Sequence, residues 1–378
     1  MRGMVTTAVC AGVLLWCVCA GAADPPPIED EGVFSRAYAP GEPMGATGEP
    51  TTGATTSTSS MEAPADADLM QRLELIEKLL DVDLRPRITG IYYTDEDTDQ
   101  MGEDLGWYEL RLDFAVPLHR GETTSVGGYV KAGYIDFNNH NLIIPMTGGA
   151  KFPSELYDVE LGVFFFKQLS NDRMLGGRVA VGSPSDEPFD SWDELTFRAD
   201  VFYSIPWRTN LRWIFLLSYA NDREWNFPVP GVELLWQPSD QLTLIVGFPA
   251  LAATWKPTSQ WELTAIYLMP HTVNLKAAYQ FCDSASVYGA FDWDNRSFWR
   301  HDRADDDDRL RYYEKRLTLG VRWNPTQTVF VDVGGGYAFD RFWFEDEDYD
   351  DRGDTKIDID DGFFGFLKVG IDLGVAPR

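Results

Sequence analysis

Charged side chains recur at every second position of several strand-like runs. This spacing places them on one face of each strand, where they could form ion pairs or line a polar path. Within 107–116, Glu109, Arg111 and Asp113 alternate with apolar residues. On the inside of a barrel, such charges could pair between neighbouring strands, or line a water-filled path whose charge balance sets ion preference. The alternative is a sealed, salt-bridged interior in a purely structural barrel. The predicted lumen residues are Glu109, Arg111, Asp113, Arg198, Asp200, Lys276, Glu314, Arg316, Arg322, Asp332, Lys368 and Asp372.

A run of four aspartates is the candidate metal site. Asp305, Asp306, Asp307 and Asp308 carry hard carboxylate ligands that could bind Ca²⁺, or bridge lipid phosphates through divalent ions. The alternative is a solvated loop, because adjacent side chains of an extended segment point apart. We expect no cofactor, and Cys282 is the one cysteine beyond residue 22, so neither an internal disulfide nor a cysteine metal cluster is expected.

Histidines are the candidates for catalysis. The chain has four, of which His301 precedes Asp302 in an acidic segment and His140 lies between two asparagines. A histidine acts as a general base only when a partner orients it, and no recognisable nucleophile motif accompanies any of the four. We therefore predict no catalytic residues and no enzyme. A hydrolase embedded in a barrel is kept as the third alternative.

We expect the candidate lumen residues to lie on β-strands. Apolar residues recur with period two from about residue 85 to 373, as in Leu317, Leu319 and Val321. This pattern predicts an all-β fold, an up-and-down antiparallel transmembrane β-barrel of 12–16 strands, with a soluble secreted sandwich as the alternative. The predicted strands lie near 86–94, 107–118, 123–136, 156–167, 174–183, 194–205, 211–220, 230–236, 241–248, 251–256, 261–269, 272–281, 285–298, 311–323, 328–340 and 362–374.

The links between these strands are alternately short and long. Short, turn-like links include 118–121 and 324–326, whereas many long links are rich in acid, such as 186–194 and 345–361. Strict alternation puts every long loop at one end of the barrel, with the tight turns and both termini at the other. Short periplasmic turns and longer extracellular loops are typical of outer-membrane barrels.

A short repeat marks three of the tight turns. Trp236, Trp255 and Trp323 each begin a Trp-x-Pro-[Ser/Thr] sequence at a strand junction. Proline suits position i+1 of a tight turn, and a tryptophan just before it would lie at a membrane interface. The segment 236–257, with Leu-Ile-Val-Gly-Phe-Pro and then Thr-Trp-Lys-Pro-Thr, resembles an uncharacterised family of bacterial outer-membrane-like barrels, a domain of unknown function. This resemblance implies a barrel over about residues 85–373 and carries no catalytic residues across.

The chain before the barrel divides into three segments. Residues 1–22 read as a signal peptide with an apolar core and an Ala-Gly-Ala cleavage sequence. Residues 23–66 are a Pro/Gly/Ser/Thr-rich linker expected to be disordered. Residues 67–84 contain a short amphipathic helix, and 85–378 form the barrel domain. The helix is expected either to rest on the barrel mouth or fray, or else to act as a plug or oligomerisation element.

The net charge of −28 excludes nucleic acid as an expected partner, because phosphate contacts need a basic surface. The expected partners are outer-membrane lipid, small solutes and divalent cations at the loops, with the oligomeric state open. The predicted location is the bacterial outer membrane. The predicted function is a porin-like passive channel for small solutes with some preference for cations. The second alternative is a closed structural or surface-binding barrel that uses its acidic extracellular loops.

Overall fold

The computed structural model describes residues 86–371, with gaps at 101, 122, 139–140, 223–226, 271, 327 and 348–353. The predicted signal peptide, linker and short helix lie outside the described residues, as does Asp372. None of the helical structure in the described part of the chain is long and apolar enough to cross a membrane.

Strands make up almost all of the regular structure, because apolar and polar residues alternate along them. A single 3₁₀ turn, Trp192–Glu194, interrupts the series. The strands are β1 Arg87–Asp97, β2 Asp104–Arg120, β3 Thr124–Asn138, β4 Glu155–Leu169, β5 Arg173–Ser185, β6 Thr196–Arg208, β7 Leu211–Ala220, β8 Val229–Ser239, β9 Leu242–Phe248, β10 Ala250–Trp255, β11 Trp261–Leu268, β12 Thr272–Cys282, β13 Ala285–Phe298, β14 Arg309–Trp323, β15 Val329–Asp346, β16 Ile357–Ile359 and β17 Gly362–Ile371.

Each strand pairs antiparallel with its neighbours in sequence, and the sheet closes on itself. The ring is completed by β17, which pairs with β15 on one side and with β1 on the other, where Arg87 is opposite Gly370. The short β16 pairs with β15 beside this ring, so sixteen of the seventeen strands form the wall. The prediction of a closed up-and-down barrel of 12–16 strands is confirmed. Closure leaves no unpaired strand edge to face lipid.

The two ends of the barrel differ as predicted. One end, the loop side, carries the connections at 98–103, 139–154, 186–195, 221–228, 299–308 and 347–361. The other end, the turn side, carries short links such as 209–210 and 240–241. Pro257 and Pro325 of the Trp-x-Pro sequences lie in turn-side links, whereas Pro238 lies at the end of β8, where the register shifts before the 240–241 link. Two loop-side links are much shorter than the others, because only Pro249 separates β9 from β10 and only residues 269–271 separate β11 from β12.

The outer face of the wall is apolar and ends in an aromatic belt. Large exposed side chains at mid-strand include Val179, Leu217 and Leu319. Near the turn side, the exposed rings are those of Trp207, Trp236, Trp255 and Trp261. An apolar band bordered by aromatic rings is the outer surface that a barrel presents to lipid and to the membrane interface.

Aromatic rings lie against the inner wall where the opposite strand carries glycine. Tyr129 of β3 is directly opposite Gly162 of β4, and Phe164 of β4 is opposite Gly127 of β3. A Cβ at Gly162 would clash with the Tyr129 ring, and one at Gly127 would clash with the Phe164 ring. Each ring therefore occupies the space that a side chain would need, and this arrangement packs the two strands together.

Candidate functional site: the constricted lumen

The polar faces predicted from the sequence point into the barrel. On β2 the inward residues Glu109, Arg111 and Asp113 alternate with the exposed outward residues Leu110 and Leu112. The other described lumen candidates occupy the same face of their strands. They are Arg198 and Asp200 on β6, Lys276 on β12, Glu314, Arg316 and Arg322 on β14, Asp332 on β15, and Lys368 on β17.

One ion pair crosses the lumen. Nη1 of Arg296, on β13, lies 2.9 Å from Oε1 of Glu109, on β2. Four strands, β14, β15, β17 and β1, separate these two along the wall, so the pair spans the interior. Glu109 also accepts a hydrogen bond from Arg111, and its side chain is 1% exposed. Two cations thus compensate the buried carboxylate, as a desolvated charge requires.

A second contact crosses the lumen beside the first. The Tyr93 hydroxyl, on β1, donates a hydrogen bond of 3.0 Å to Glu314, on β14. Tyr312 donates to the same carboxylate at 3.0 Å, and Arg316 lies 3.1 Å from it. Arg316 also donates to the Tyr93 hydroxyl at 3.0 Å. This network links β1 to β14, which β15 and β17 separate along the wall, and its hydrogen bonds polarise one another.

Other charged pairs run along the wall. Asp113 accepts a hydrogen bond of 2.7 Å from Arg87 of the neighbouring β1, and Arg322 lies 3.3 Å from Asp332 of the neighbouring β15. Asp200 pairs with Arg178 of β5. Arg198 of β6 reaches past β5 to Glu160 of β4, at 3.3 Å. The Lys276 ammonium lies 4.1 Å from the centre of the Tyr288 ring. Neighbouring strands therefore neutralise much of the charge on the inner face.

An apolar plug, formed by Leu142, Ile144 and Phe152 of the β3–β4 loop, fills part of the loop-side interior. All three side chains are buried in one cluster with inward residues of the wall. Phe152 packs edge-on against Phe137 and Trp343, with ring centres 5.1 and 5.4 Å apart. The loop thus folds inward, because its apolar side chains are removed from water there.

A mouth strap, formed by residues 184–195 and 299–308, joins opposite sides of the loop-side opening. It begins at the ends of β5 and β13, which are separated by seven strands in either direction around the ring. The Trp299 amide donates to the Pro184 carbonyl at 2.7 Å, and the His301 amide donates to Asp186 at 2.8 Å. Backbone bonding across the opening holds the two rims together.

A buried ion pair anchors the strap to the wall. Arg300 donates two hydrogen bonds to Glu345 of β15, at 2.8 and 3.0 Å. The two side chains are 3% and 1% exposed. Bidentate geometry of this kind fixes the orientation of both groups.

Of the two histidines in the described part of the chain, His301 is the one that lies among carboxylates. Its Nδ1 lies 3.4 Å from Glu194, 3.6 Å from Asp190 and 4.0 Å from Glu187. The hydrogen bond to Glu194 and the charge of Glu187 raise the pKa of His301 above its ordinary value near 6.5. His119 lies near the turn-side end of β2, whereas His140 and His271 lie outside the described residues.

The structure does not bring the four aspartates of the predicted metal site together. Asp305, Asp306 and Asp307 are exposed, and the Asp305 carboxylate accepts a hydrogen bond of 3.1 Å from the Asp307 amide. In the described part of the chain, the cluster with converging ligand atoms is instead Glu187, Asp190 and His301. The aspartate run lies in the strap a few residues after His301.

The sequence analysis did not predict several residues of the cross-lumen contacts, the apolar plug and the mouth strap. Arg296 follows Asp292 and Asp294 at intervals of two, so the alternation of charge on β13 is a signal that could have included it. Tyr93, Arg300 and the plug residues carry no such signal. Their roles depend on partners that are far away in the sequence.

Solvent reaches the interior next to these contacts. Asp158 points inward on β4, one inward position from buried Leu156, and it is exposed. The side chain of Arg111, which also contacts the Glu109 carboxylate, retains 34% exposure. An inward charge that remains exposed needs an adjoining space that water can enter.

A closed antiparallel ring with an apolar outer face and a charged, partly solvated inner face defines a transmembrane β-barrel. The chain belongs to the family described as "Domain of unknown function (DUF6268)", whose model matches residues 87–350. None of the curated proteins matches the sequence significantly.

Several solved outer-membrane structures are similar to the chain at low identity. The COG4313 outer membrane channel from Pseudomonas putida F1 is 10% identical, with 77% of this chain and 96% of that chain covered and a TM-score of 0.35. The P. putida toluene transporter TodX is 7% identical, with coverages of 76% and 90% and a TM-score of 0.35. The translocator domain of the autotransporter NalP from Neisseria meningitidis is 12% identical, with coverages of 81% and 95% and a TM-score of 0.28.

Proposed function

We propose that this protein is a passive channel for small solutes in the bacterial outer membrane, and that contacts across its lumen keep the path narrow. The observation that carries the proposal is Asp158, an inward-facing carboxylate that stays exposed inside a closed ring. A sealed, packed interior would bury such a group or pair it fully, because an isolated buried carboxylate is costly.

The position in the outer membrane is supported by the surface of the barrel. The mid-strand apolar residues and the turn-side tryptophans match the lipid-facing band and one interface. The turn side would face the periplasm, and the long loops would face outward. The predicted signal peptide at residues 1–22 would deliver the chain across the inner membrane.

A preference for cations is supported by the entrance more than by the wall. The exposed carboxylates Glu187 and Asp190 lie in the mouth strap, and the whole chain carries a net charge of −28. Acidic groups at an entrance raise the local concentration of cations. The wall itself pairs acids with bases, so we expect a modest selectivity for small, uncharged or cationic solutes.

A closed structural or surface-binding barrel is the second candidate function. The apolar plug and the mouth strap favour it, because both obstruct the loop-side opening. In this alternative the exposed acidic loops would bind a partner at the cell surface, and the charges inside would only stabilise the wall. We assign no catalytic residue in either case.

Conductance separates these two functions. The protein would be purified in detergent, its gel mobility compared with and without boiling, and then reconstituted in a planar bilayer. A heat-shifted band with stable single-channel steps and a reversal potential favouring cations supports the channel. A heat-shifted band without conductance supports the closed barrel, and protein that stays soluble without detergent would overturn the membrane assignment.

A further inference from the structure

The mouth strap carries a cluster of metal-ligating side chains, two of which, Glu187 and Asp190, also supply negative charge at the proposed entrance. The ligand atoms of Glu187, Asp190 and His301 all lie within 4.8 Å of one another. Glu194 lies beside this cluster, with its Oε1 3.4 Å from Nδ1 of His301. Three carboxylates therefore surround one imidazole.

Glu194 provides an independent indication of a missing ligand. Its side chain is 1% exposed, and its Oε2 has no hydrogen-bond partner in the structure. The carboxylate is directed toward the exposed His301 rather than toward a lysine or arginine. A buried carboxylate oxygen without a donor is costly, and a bound cation would satisfy it.

Local cations do not already neutralise the cluster. Among the described residues, His301 is the basic group found within 4 Å of the Glu187, Asp190 and Glu194 carboxylates. The nearby Arg303 is directed elsewhere and donates to the Asp193 and Asp306 carbonyls at 3.3 and 3.1 Å. With a neutral imidazole, the three carboxylates leave a strong local excess of negative charge for a divalent ion.

The donor set and spacing favour Zn²⁺ over Ca²⁺. Bonds of about 2.0–2.2 Å to nitrogen and oxygen place the corners of a tetrahedron about 3.3–3.6 Å apart. The distance of 3.6 Å from Nδ1 of His301 to Asp190 lies at the upper end of this range, and Glu187 at 4.0 Å needs a small rotation. Glu194, 3.4 Å from the same nitrogen, lies next to these three ligands. Calcium prefers six to eight oxygen ligands at longer distances, and imidazole is not among them.

We propose that Glu187, Asp190 and His301, with Glu194 beside them, form a Zn²⁺ site that ties the two halves of the mouth strap together. The three carboxylates come from the segment after β5, and the imidazole comes from the segment after β13. Because these strands are on opposite sides of the ring, the ion cross-links the two rims of the opening. The site itself does not depend on the proposed channel, and only its effect on conductance rests on that function.

The test is metal binding to the full-length protein in detergent. After treatment with EDTA and its removal, Zn²⁺ would be titrated by calorimetry, with Co²⁺ as the spectroscopic probe. We expect about one Zn²⁺ per chain and the visible absorption of tetrahedral Co²⁺, which Zn²⁺ abolishes and Ca²⁺ does not. The absence of saturable Zn²⁺ binding would overturn the proposal.

Matched variants connect the binding to the site. Glu194→Gln and His301→Gln should each weaken Zn²⁺ binding about tenfold or more, whereas Asp306→Asn should leave it unchanged. Asp306 is exposed in the same strap, and its replacement removes one charge outside the cluster. Equal weakening by all three variants would overturn the site in favour of general attraction to acid. Heat-shifted gel mobility checks folding, and the exposed His301 variant remains informative if Glu194→Gln fails to fold.

The Zn²⁺ site and the channel function can each be contradicted without contradicting the other. Zn²⁺ bound by a barrel that never conducts would leave the metal site standing and would contradict the channel. A conducting barrel that does not bind Zn²⁺ would contradict the metal site alone. If both hold, Zn²⁺ should lower the open fraction of the wild-type channel and leave that of His301→Gln unchanged.

Discussion

Arg296 and Glu109 form an ion pair of 2.9 Å across the interior of the barrel, between strands that four other strands separate along the wall. The pair occupies space that a solute would otherwise cross. Because Glu109 is buried and Arg296 is 17% exposed, the arginine is the more accessible partner to remove. The proposed path is thus crossed by a contact that the strand ladder does not require.

Replacing the arginine should widen the path. Arg296→Ala is expected to increase single-channel conductance, because the side chain that spans the lumen is gone. It should also lower the free energy of unfolding by about 1–3 kcal/mol, since Glu109 keeps Arg111 but loses one buried partner. Planar-bilayer recordings measure the first effect, and denaturation followed by gel mobility measures the second.

Arg173→Ala is the matched control, because Arg173 is exposed at the turn-side end of β5. Its conductance should equal that of the wild type. Unchanged conductance in Arg296→Ala would show that the cross-lumen pair does not limit the path.

Shortening a plug residue should loosen the loop-side interior. Ile144 is completely buried, so Ile144→Ala is expected to cost about 2–4 kcal/mol of stability through lost burial and a cavity. It should also make channel openings more frequent, because the β3–β4 loop is held inward by this contact. Thermal unfolding in detergent and bilayer recordings measure the two effects.

Met146 supplies the comparison within the same loop. Its side chain is 81% exposed, so Met146→Ala should change neither stability nor opening. Equal effects of the two substitutions would contradict an inward-packed plug.

The glycine opposite Tyr129 should not tolerate a side chain. Gly162→Ala would place a methyl group that clashes with the Tyr129 ring, and the resulting displacement of the ring should cost about 1–3 kcal/mol of stability. Gly128→Ala is the control on the neighbouring strand, because a Cβ there meets only ordinary contacts. The temperature of the gel-mobility shift should fall for the first variant and stay within experimental error for the second.

A charged substitution on the outer wall should test directly whether this face contacts lipid. Val179 is 65% exposed in the middle of β5, so Val179→Arg should destabilise the protein in lipid vesicles by about 2–4 kcal/mol. Leu118→Arg, near the turn-side end of β2, should cost only about 0–1 kcal/mol. If both cost the same, the face would not lie in a hydrocarbon layer. A soluble sandwich would tolerate both, because water would solvate either charge.

The alternation along the chain determined the sheet and its two faces. Residues such as Leu110 and Glu109 must point to opposite sides of a strand, so the sequence pattern alone predicted which face carries charge. The alternating lengths of the links predicted the two ends of the barrel. The Trp-x-Pro repeats predicted three turns, because proline and the interface preference of tryptophan act locally.

The tertiary structure alone decided what the charged faces contact. Local patterning sets whether a side chain points inward, but not which residue meets it from across a ring of sixteen strands. The partners of Arg296, His301 and Ile144 depend on closure, on strand tilt and on how the long loops fold. For the same reason, the four consecutive aspartates suggested a metal site, whereas the converging ligands come from two segments more than a hundred residues apart. Binding geometry depends on distances in space, and period-two alternation carries no information about those distances.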